Sequence, residues 1–174
     1  MATNYVMFGG TGVPGAYQSI GIGAVTDSLF INGGQQQLTT TYGFRGAYTH
    51  NWDAYWNTAI YGAWAAVRHN DTAKALICTG PAGVTGLQLA LSTGLAGCNP
   101  DFNYSAVGII TRWTPVRNLT FSVDTTYTML DQKYGAGSTF VLAAPALALA
   151  KPAAVYEIKD QAAVSMLLRA QRNF

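Results

Sequence analysis

Apolar and polar residues alternate along much of the chain, which is the pattern of β-strands with two chemically different faces. The cleanest example is 119–130, where Phe121 and Val123 share one face and Ser122 and Asp124 share the other. Long strands are predicted over residues 40–50, 54–68, 103–114, 119–130 and 160–174. The pattern therefore predicts an all-β fold in which long antiparallel strands form a sheet with one apolar and one polar face.

The connections between these strands alternate in length. Short turns are predicted at 51–53 and 115–118, and long loops at 69–102 and 131–159. In a simple meander, all short turns fall at one edge of the sheet and all long loops at the other. Transmembrane β-barrels have this asymmetry, with short periplasmic turns and longer extracellular loops. The connections thus favour the wall of a transmembrane β-barrel.

The lengths of the strands support the same interpretation. The predicted strands have roughly 11–15 residues, whereas strands of soluble proteins cluster near 5–6 residues and a membrane-crossing strand needs about 9–11. Residues 1–174 are expected to form one domain, with a loop-rich segment over 1–39 and long strands over 40–174. Several aromatic residues lie near strand ends, as a girdle at the membrane interface would require: Tyr42, Tyr48, Trp56, Trp113, Tyr127 and Phe174.

Composition narrows the class of protein further. Charged residues make up 10% of the 174 residues and the net charge is +2, against roughly 25% charged residues in soluble domains. This excludes a disordered tail, a coiled coil and a nucleic-acid-binding domain. The longest apolar run, 140–150, is too short for a spanning helix and contains Pro145. A soluble β-sandwich is the alternative, and the low charge, long strands and loop asymmetry disfavour it.

The polar faces of the strands carry isolated charges. Arg45, Arg112, Asp124 and Arg169 are predicted to line a water-filled channel and to give its wall an electric field. The alternative is that the arginines pair with Asp124 across neighbouring strands. Arg172 falls on the apolar face, near the end of its strand, where contact with lipid headgroups is expected.

Several runs in this sequence resemble the general porins of α-proteobacteria, especially the rhizobial kind. These runs are YGFRGAYTHNW (42–52), WNTAIYG (56–62), CNPDFN (98–103), RWTPV (112–116), LTFS (119–122), YTMLDQK (127–133), YEIKDQ (156–161) and LRAQRNF (168–174). The resemblance implies a place in the cell outer membrane, in contact with its lipid. It also implies the family fold, a 16-stranded barrel that is usually a homotrimer and passes ions and small hydrophilic solutes.

The chain resembles only the C-terminal portion of such a barrel. Five clear strands, or six or seven with the N-terminal region, cannot close a pore, since the smallest barrels have about eight. The sequence is therefore expected to be a fragment, a truncated reading frame or a degraded gene copy, and upstream coding sequence would instead make it a mis-started porin. Two alternatives remain for its function: a non-channel outer-membrane barrel with an adhesin or structural role, and a non-functional truncated porin.

Three residues outside the polar face also carry predictions. Cys78 and Cys98, the only cysteines, lie in one long loop and are predicted to form a disulfide in an oxidising compartment; two free thiols are the alternative. The resemblance implies that the last strand, ending at Phe174, is the signal for the outer-membrane assembly machinery. An incidental C-terminal phenylalanine is the alternative.

No enzyme chemistry is predicted. A Ser-His-Asp set would need His50 or His69 beside a nucleophile, and no motif surrounds either residue. The two histidines fall at opposite ends of one predicted strand, which argues against a metal site. The segment 9–12 is rich in glycine but lacks the lysine of a phosphate-binding loop. Neither a cofactor nor a nucleic-acid partner is expected.

Overall fold

The computed structural model describes residues 4–8, 19–25, 27–29, 34–79, 94–142 and 154–173. Ten strands, one α-helix and one short 3-10 helix (Gly94–Gly97) lie in these ranges. The strands are β1 (Asn4–Phe8), β2 (Ser19–Val25), β3 (Ser28–Leu29), β4 (Gln37–Asn51), β5 (Trp56–His69), β6 (Phe102–Val116), β7 (Leu119–Gln132), β8 (Thr139–Leu142), β9 (Ala154–Ile158) and β10 (Gln161–Arg172), and the helix is α1 (Asp71–Thr79).

The strands form two sheets. The larger has six strands in the order β10-β7-β6-β5-β4-β3, and the smaller has four in the order β1-β2-β9-β8. The contacts between β5 and β6 show that these strands run in opposite directions. The amide of Thr114 donates a hydrogen bond to the carbonyl oxygen of Tyr55 near one end, and the side chain of Arg68 donates one to the carbonyl oxygen of Phe102 near the other. The prediction of an all-β, antiparallel fold with long strands is confirmed.

The five long strands lie close to their predicted positions, but the segments between them contain more structure than expected. The N-terminal 39 residues hold β1, β2, β3 and the start of β4, and the loop over 131–159 holds β8 and β9. These short strands stabilise one another by pairing, since β2 pairs with β1 and, in parallel, with β9. These segments are too short to show a clean alternation, so their partners, rather than the local pattern, select the extended backbone.

The helix α1 is the main departure from the predicted loop over 69–102. Asn70 caps it, because its Oδ1 accepts a hydrogen bond of 2.7 Å from the amide of Ala73. Asp71 adds a favourable negative charge in the first turn. Among the described residues, no helix is long and apolar enough to cross a membrane.

The chain divides into two compact units. Unit 1 comprises residues 1–42, 66–103 and 130–161. It contains a small buried core around Val67, Phe102 and Leu130. Ile20 and Tyr156 are also completely buried. Unit 1 therefore has a small apolar interior of its own.

Unit 2 comprises residues 43–65, 104–129 and 162–174. It consists of the middle and turn-side parts of the long strands, and large apolar side chains on it are exposed, such as Phe44 at 72% and Val164 at 70%. Trp56 stacks on Trp113 with ring centroids 5.6 Å apart. A soluble protein rarely exposes a contiguous apolar surface of this extent.

Candidate functional site

The polar face of unit 2 contains a row of side chains that crosses four neighbouring strands. Arg112 on β6 donates a hydrogen bond from Nη1 to Oδ1 of Asn57 on β5, at 3.3 Å. On the other side of Arg112, the register of β6 and β7 places Ser122 opposite it. The register of β7 and β10 then places Arg169 opposite Ser122. The row therefore carries two arginines with one serine between them.

The two arginines of this row lie on strands that flank β7. Neighbouring strands are about 4.8 Å apart, so the backbones of Arg112 and Arg169 are roughly 10 Å apart. Arg45 shares the polar face but lies several residues along β4 from this row. Within the described residues, none of the three guanidinium groups forms an ion pair with Asp124.

Asp124 instead belongs to a second polar cluster. The hydroxyl of Tyr61 on β5 donates a hydrogen bond to Oδ1 of Asp124 on β7, and it also contacts Thr126 Oγ1. To reach β7, the ring of Tyr61 passes over β6 at Gly108, where a Cβ atom would overlap the ring. The missing side chain of Gly108 therefore allows Tyr61 to connect two strands that are not neighbours. The sequence pattern alone did not predict this contact.

The opposite face of the same strands is apolar. Trp56, Trp113 and Phe121 form a continuous aromatic row, since the ring centroids of Trp113 and Phe121 are 5.7 Å apart. Val123 and Leu168, on the same face, are exposed. One sheet thus presents charges on one side and exposed hydrocarbon on the other.

The predicted disulfide between Cys78 and Cys98 is confirmed. The Cα atoms of the two cysteines are 6.0 Å apart, and the bond joins α1 to the segment that precedes β6. Phe174, the proposed assembly signal, lies outside the described residues. Among the residues that the structure describes, no group of three or more His, Cys, Asp or Glu could hold a metal ion.

A buried carboxylate organises the segment between β5 and β6. Asp101 accepts a hydrogen bond of 2.9 Å from the amide of His69, and its Oδ1 is 3.3 Å from His69 Nδ1. Its other oxygen forms an ion pair with Lys74 of α1, at 2.7 Å. Burial raises the pKa of Asp101, but the ion pair and the hydrogen bonds from His69 outweigh it and hold the pKa below its ordinary value. Sequence reasoning missed Asp101, although the resemblance included the run 98–103 that contains it.

Comparison with known families identifies the class of protein. The porin subfamily matches residues 14–167. The chain therefore belongs to the porin family, which is not a family of enzymes. Searches of curated proteins and of solved structures found no significant match. The predicted resemblance to porins is confirmed at the level of the family, and its rhizobial detail stays a prediction.

Proposed function

We propose that this chain contributes the wall of a passive diffusion channel for ions and small hydrophilic solutes in the outer membrane. The observation that supports this most is the opposite chemistry of the two faces in unit 2. Arg112 and Arg169 alternate along their strands with Trp113 and Leu168, and both of these apolar side chains are exposed. Such a sheet is stable when one face meets water and the other meets lipid, as in transmembrane barrels.

The charges on the polar face suggest the direction of ion selectivity. Arg45, Arg112 and Arg169 contribute three positive charges, and Asp124 contributes one negative charge. The hydrogen bond from Tyr61 engages Asp124 within its own cluster. With these four residues facing the lumen, the wall has an excess of positive charge and favours anions.

The remaining parts of the proposal concern partners. Porins generally associate with the outer membrane as trimers, and we propose the same for this chain, with outer-membrane lipid around it. Phe174, at the end of the last strand, is proposed as the signal read by the assembly machinery. No catalytic activity, cofactor or nucleic-acid partner forms part of the proposal.

Conductance across planar lipid bilayers tests the proposed channel. The protein is extracted from outer membranes in its native assembly and added to a bilayer that separates two KCl solutions of different concentration. Stepwise conductance with a reversal potential that indicates anion preference is expected. Replacing Arg112 and Arg169 together with glutamine should move the reversal potential towards zero. Inserted protein that leaves the bilayer sealed would instead indicate an adhesin or structural barrel.

A further inference from the structure

The apolar face of unit 2 contains a groove beside its last strand. The aromatic row of Trp56, Trp113 and Phe121 crosses β5, β6 and β7. The register of β7 and β10 continues this row to Ala170, opposite Phe121. The methyl group of Ala170 is too small to extend the stack of rings. The row therefore ends in a groove of about 520 Å³ at the edge of the aromatic cluster.

The walls of the groove are mostly hydrocarbon. Val123 and Leu168 line it together with the three aromatic rings, and Leu168 is 68% exposed. Ser122 and Arg169 also border the groove, but strand alternation directs their side chains to the polar face. An elongated apolar group is the kind of occupant that such walls accept.

Positive charge lies at the turn end of the groove. Arg172 follows Ala170 by two residues, so it shares the same face of β10, and its side chain is exposed. The amide of Asn173 donates a hydrogen bond of 2.9 Å to the carbonyl oxygen of Asn118. This bond fixes the turn between β6 and β7, which contains the exposed Arg117, beside the end of β10. Two arginines thus lie at the turn end of the sheet, towards which the apolar groove opens along β10.

The neighbouring turn brings a carboxylate to the same end of the sheet. Asp53, between β4 and β5, directs Oδ1 back into its own turn, where it accepts hydrogen bonds from the amides of Tyr55 and Trp56 at 2.6 and 2.8 Å. Its role in that turn is therefore local. Arg117 and Arg172 are exposed cations at the same end of the sheet.

We propose that this groove binds one acyl chain of an anionic glycerophospholipid, whose phosphate contacts Arg117 and Arg172. The proposal rests on the proposed outer-membrane location, in which short turns face the periplasm and tryptophans lie at the membrane interface. Arginine forms strong, charge-assisted hydrogen bonds with phosphate. The apolar groove holds the hydrocarbon, and the two cations select a negatively charged headgroup over a zwitterionic one.

Native mass spectrometry of lipid-bound protein tests this site. The protein, extracted in its native assembly and stripped of lipid, is titrated with dioleoyl phosphatidylglycerol or dioleoyl phosphatidylcholine. The anionic lipid should be retained preferentially, and Arg117→Gln and Arg172→Gln should each weaken its retention roughly fivefold while retention of the zwitterionic lipid is unchanged. Lys133→Gln, which changes an exposed cation that does not line the groove, is the control and should leave retention of both lipids unchanged.

Filling the groove tests its hydrocarbon part. Ala170→Leu should abolish retention of both lipids, whereas Val164→Leu, on the same face of β10 but distant from the groove, should leave retention unchanged. Equal retention of the two lipids by the unaltered protein, or normal retention by Ala170→Leu, would overturn the proposal. So would a disulfide between copies at Ala170→Cys, because the groove would then be an interface between subunits.

Conductance is recorded for the same samples, which separates this proposal from that of the channel. If the unaltered protein forms normal channels but shows no lipid preference, only the proposed lipid site is contradicted. If it shows the lipid preference but forms no channels, only the proposed channel function is contradicted.

Discussion

The two compact units of this chain contain segments of the same long strands but differ in how far their apolar side chains are buried. Unit 1 buries apolar side chains such as Leu130 and Tyr156 completely, although Leu38 and Val155 are exposed. A disulfide and the ion pair between Lys74 and the buried Asp101 fix its connecting segment. Unit 2 leaves apolar side chains such as Phe44 and Leu168 exposed and has polar groups on its other face. Unit 1 therefore has a small core of its own, whereas in the proposed membrane location lipid covers the apolar face of unit 2.

The largest expected effect of a single substitution is in the core of unit 1. Phe102 is 3% exposed and packs with Val67 and Leu130. Phe102→Ala should lower the free energy of unfolding by about 3–5 kcal/mol, because it leaves a cavity. Urea unfolding of the reconstituted protein measures this loss. Phe121→Ala, which truncates an exposed ring in unit 2, is the control. An equal loss of unfolding free energy in both variants would contradict the claim that the two units differ in how they are stabilised.

Removal of the disulfide should have the next largest effect. Cys78→Ser combined with Cys98→Ser opens a loop closed by residues 20 positions apart. In the chain-entropy model this costs roughly 3 kcal/mol. The expected result is earlier proteolysis between β5 and β6 and a lower unfolding midpoint. Unchanged protease resistance would show that the contacts of Asp101 hold this segment without the covalent link.

Asp101 should make the stability of unit 1 depend on pH. Asp101→Asn removes the ion pair with Lys74, and charge-assisted hydrogen bonds are typically worth about 1.5–3 kcal/mol. Folding lowers the pKa of Asp101, so its stabilisation is complete above the unfolded value of about 3.9 and is lost as pH falls through the lower folded value.

The free energy of unfolding, measured from pH 7 to pH 2, isolates the contribution of the Asp101 carboxylate. The difference in unfolding free energy between the unaltered protein and Asp101→Asn should be constant near neutral pH and should shrink below about pH 4. Asp71→Asn changes an exposed carboxylate in the same segment and serves as the comparison. A difference that stays constant down to pH 2 would mean that the charge of Asp101 does not stabilise the fold.

A smaller effect is expected on the polar face of unit 2. A methyl group at Gly108 would displace Tyr61 and break its contacts with Asp124 and Thr126. Gly108→Ala should cost about 1–3 kcal/mol, as overpacking typically does. Gly46→Ala, at a position with open space around it, is the matched control. Equal stability of the two variants would show that Tyr61 adapts without loss.

The long strands could be predicted from the sequence because alternation is a local signal. Leu119–Gln132, for example, was predicted over 119–130 and extends only two residues further. The resemblance to porins was equally accessible, because it rests on short runs within these strands. Within each strand, successive side chains point to alternate faces. This pattern can be recognised without knowing which strands are neighbours.

The contacts between strands could not be predicted in this way, because they depend on register. Tyr61, Gly108 and Asp124 lie on three different strands, and only the alignment of those strands brings them together. The same holds for the row that contains Arg112 and Arg169. The helix α1 had a local signal, Asn70 followed by Asp71, but its nine residues are too few to reveal a helical period.

The central claim is that one face of the unit 2 sheet meets water and the other meets lipid. Ser122 and Val123 are adjacent on β7 and lie on opposite faces, and both native cysteines are bonded, so single cysteines can be introduced at each position. In the assembled protein in membranes, Ser122→Cys should react with a hydrophilic thiol reagent at least about tenfold faster than Val123→Cys, since hydrocarbon excludes charged reagents. Equal rates at the two positions would contradict the account.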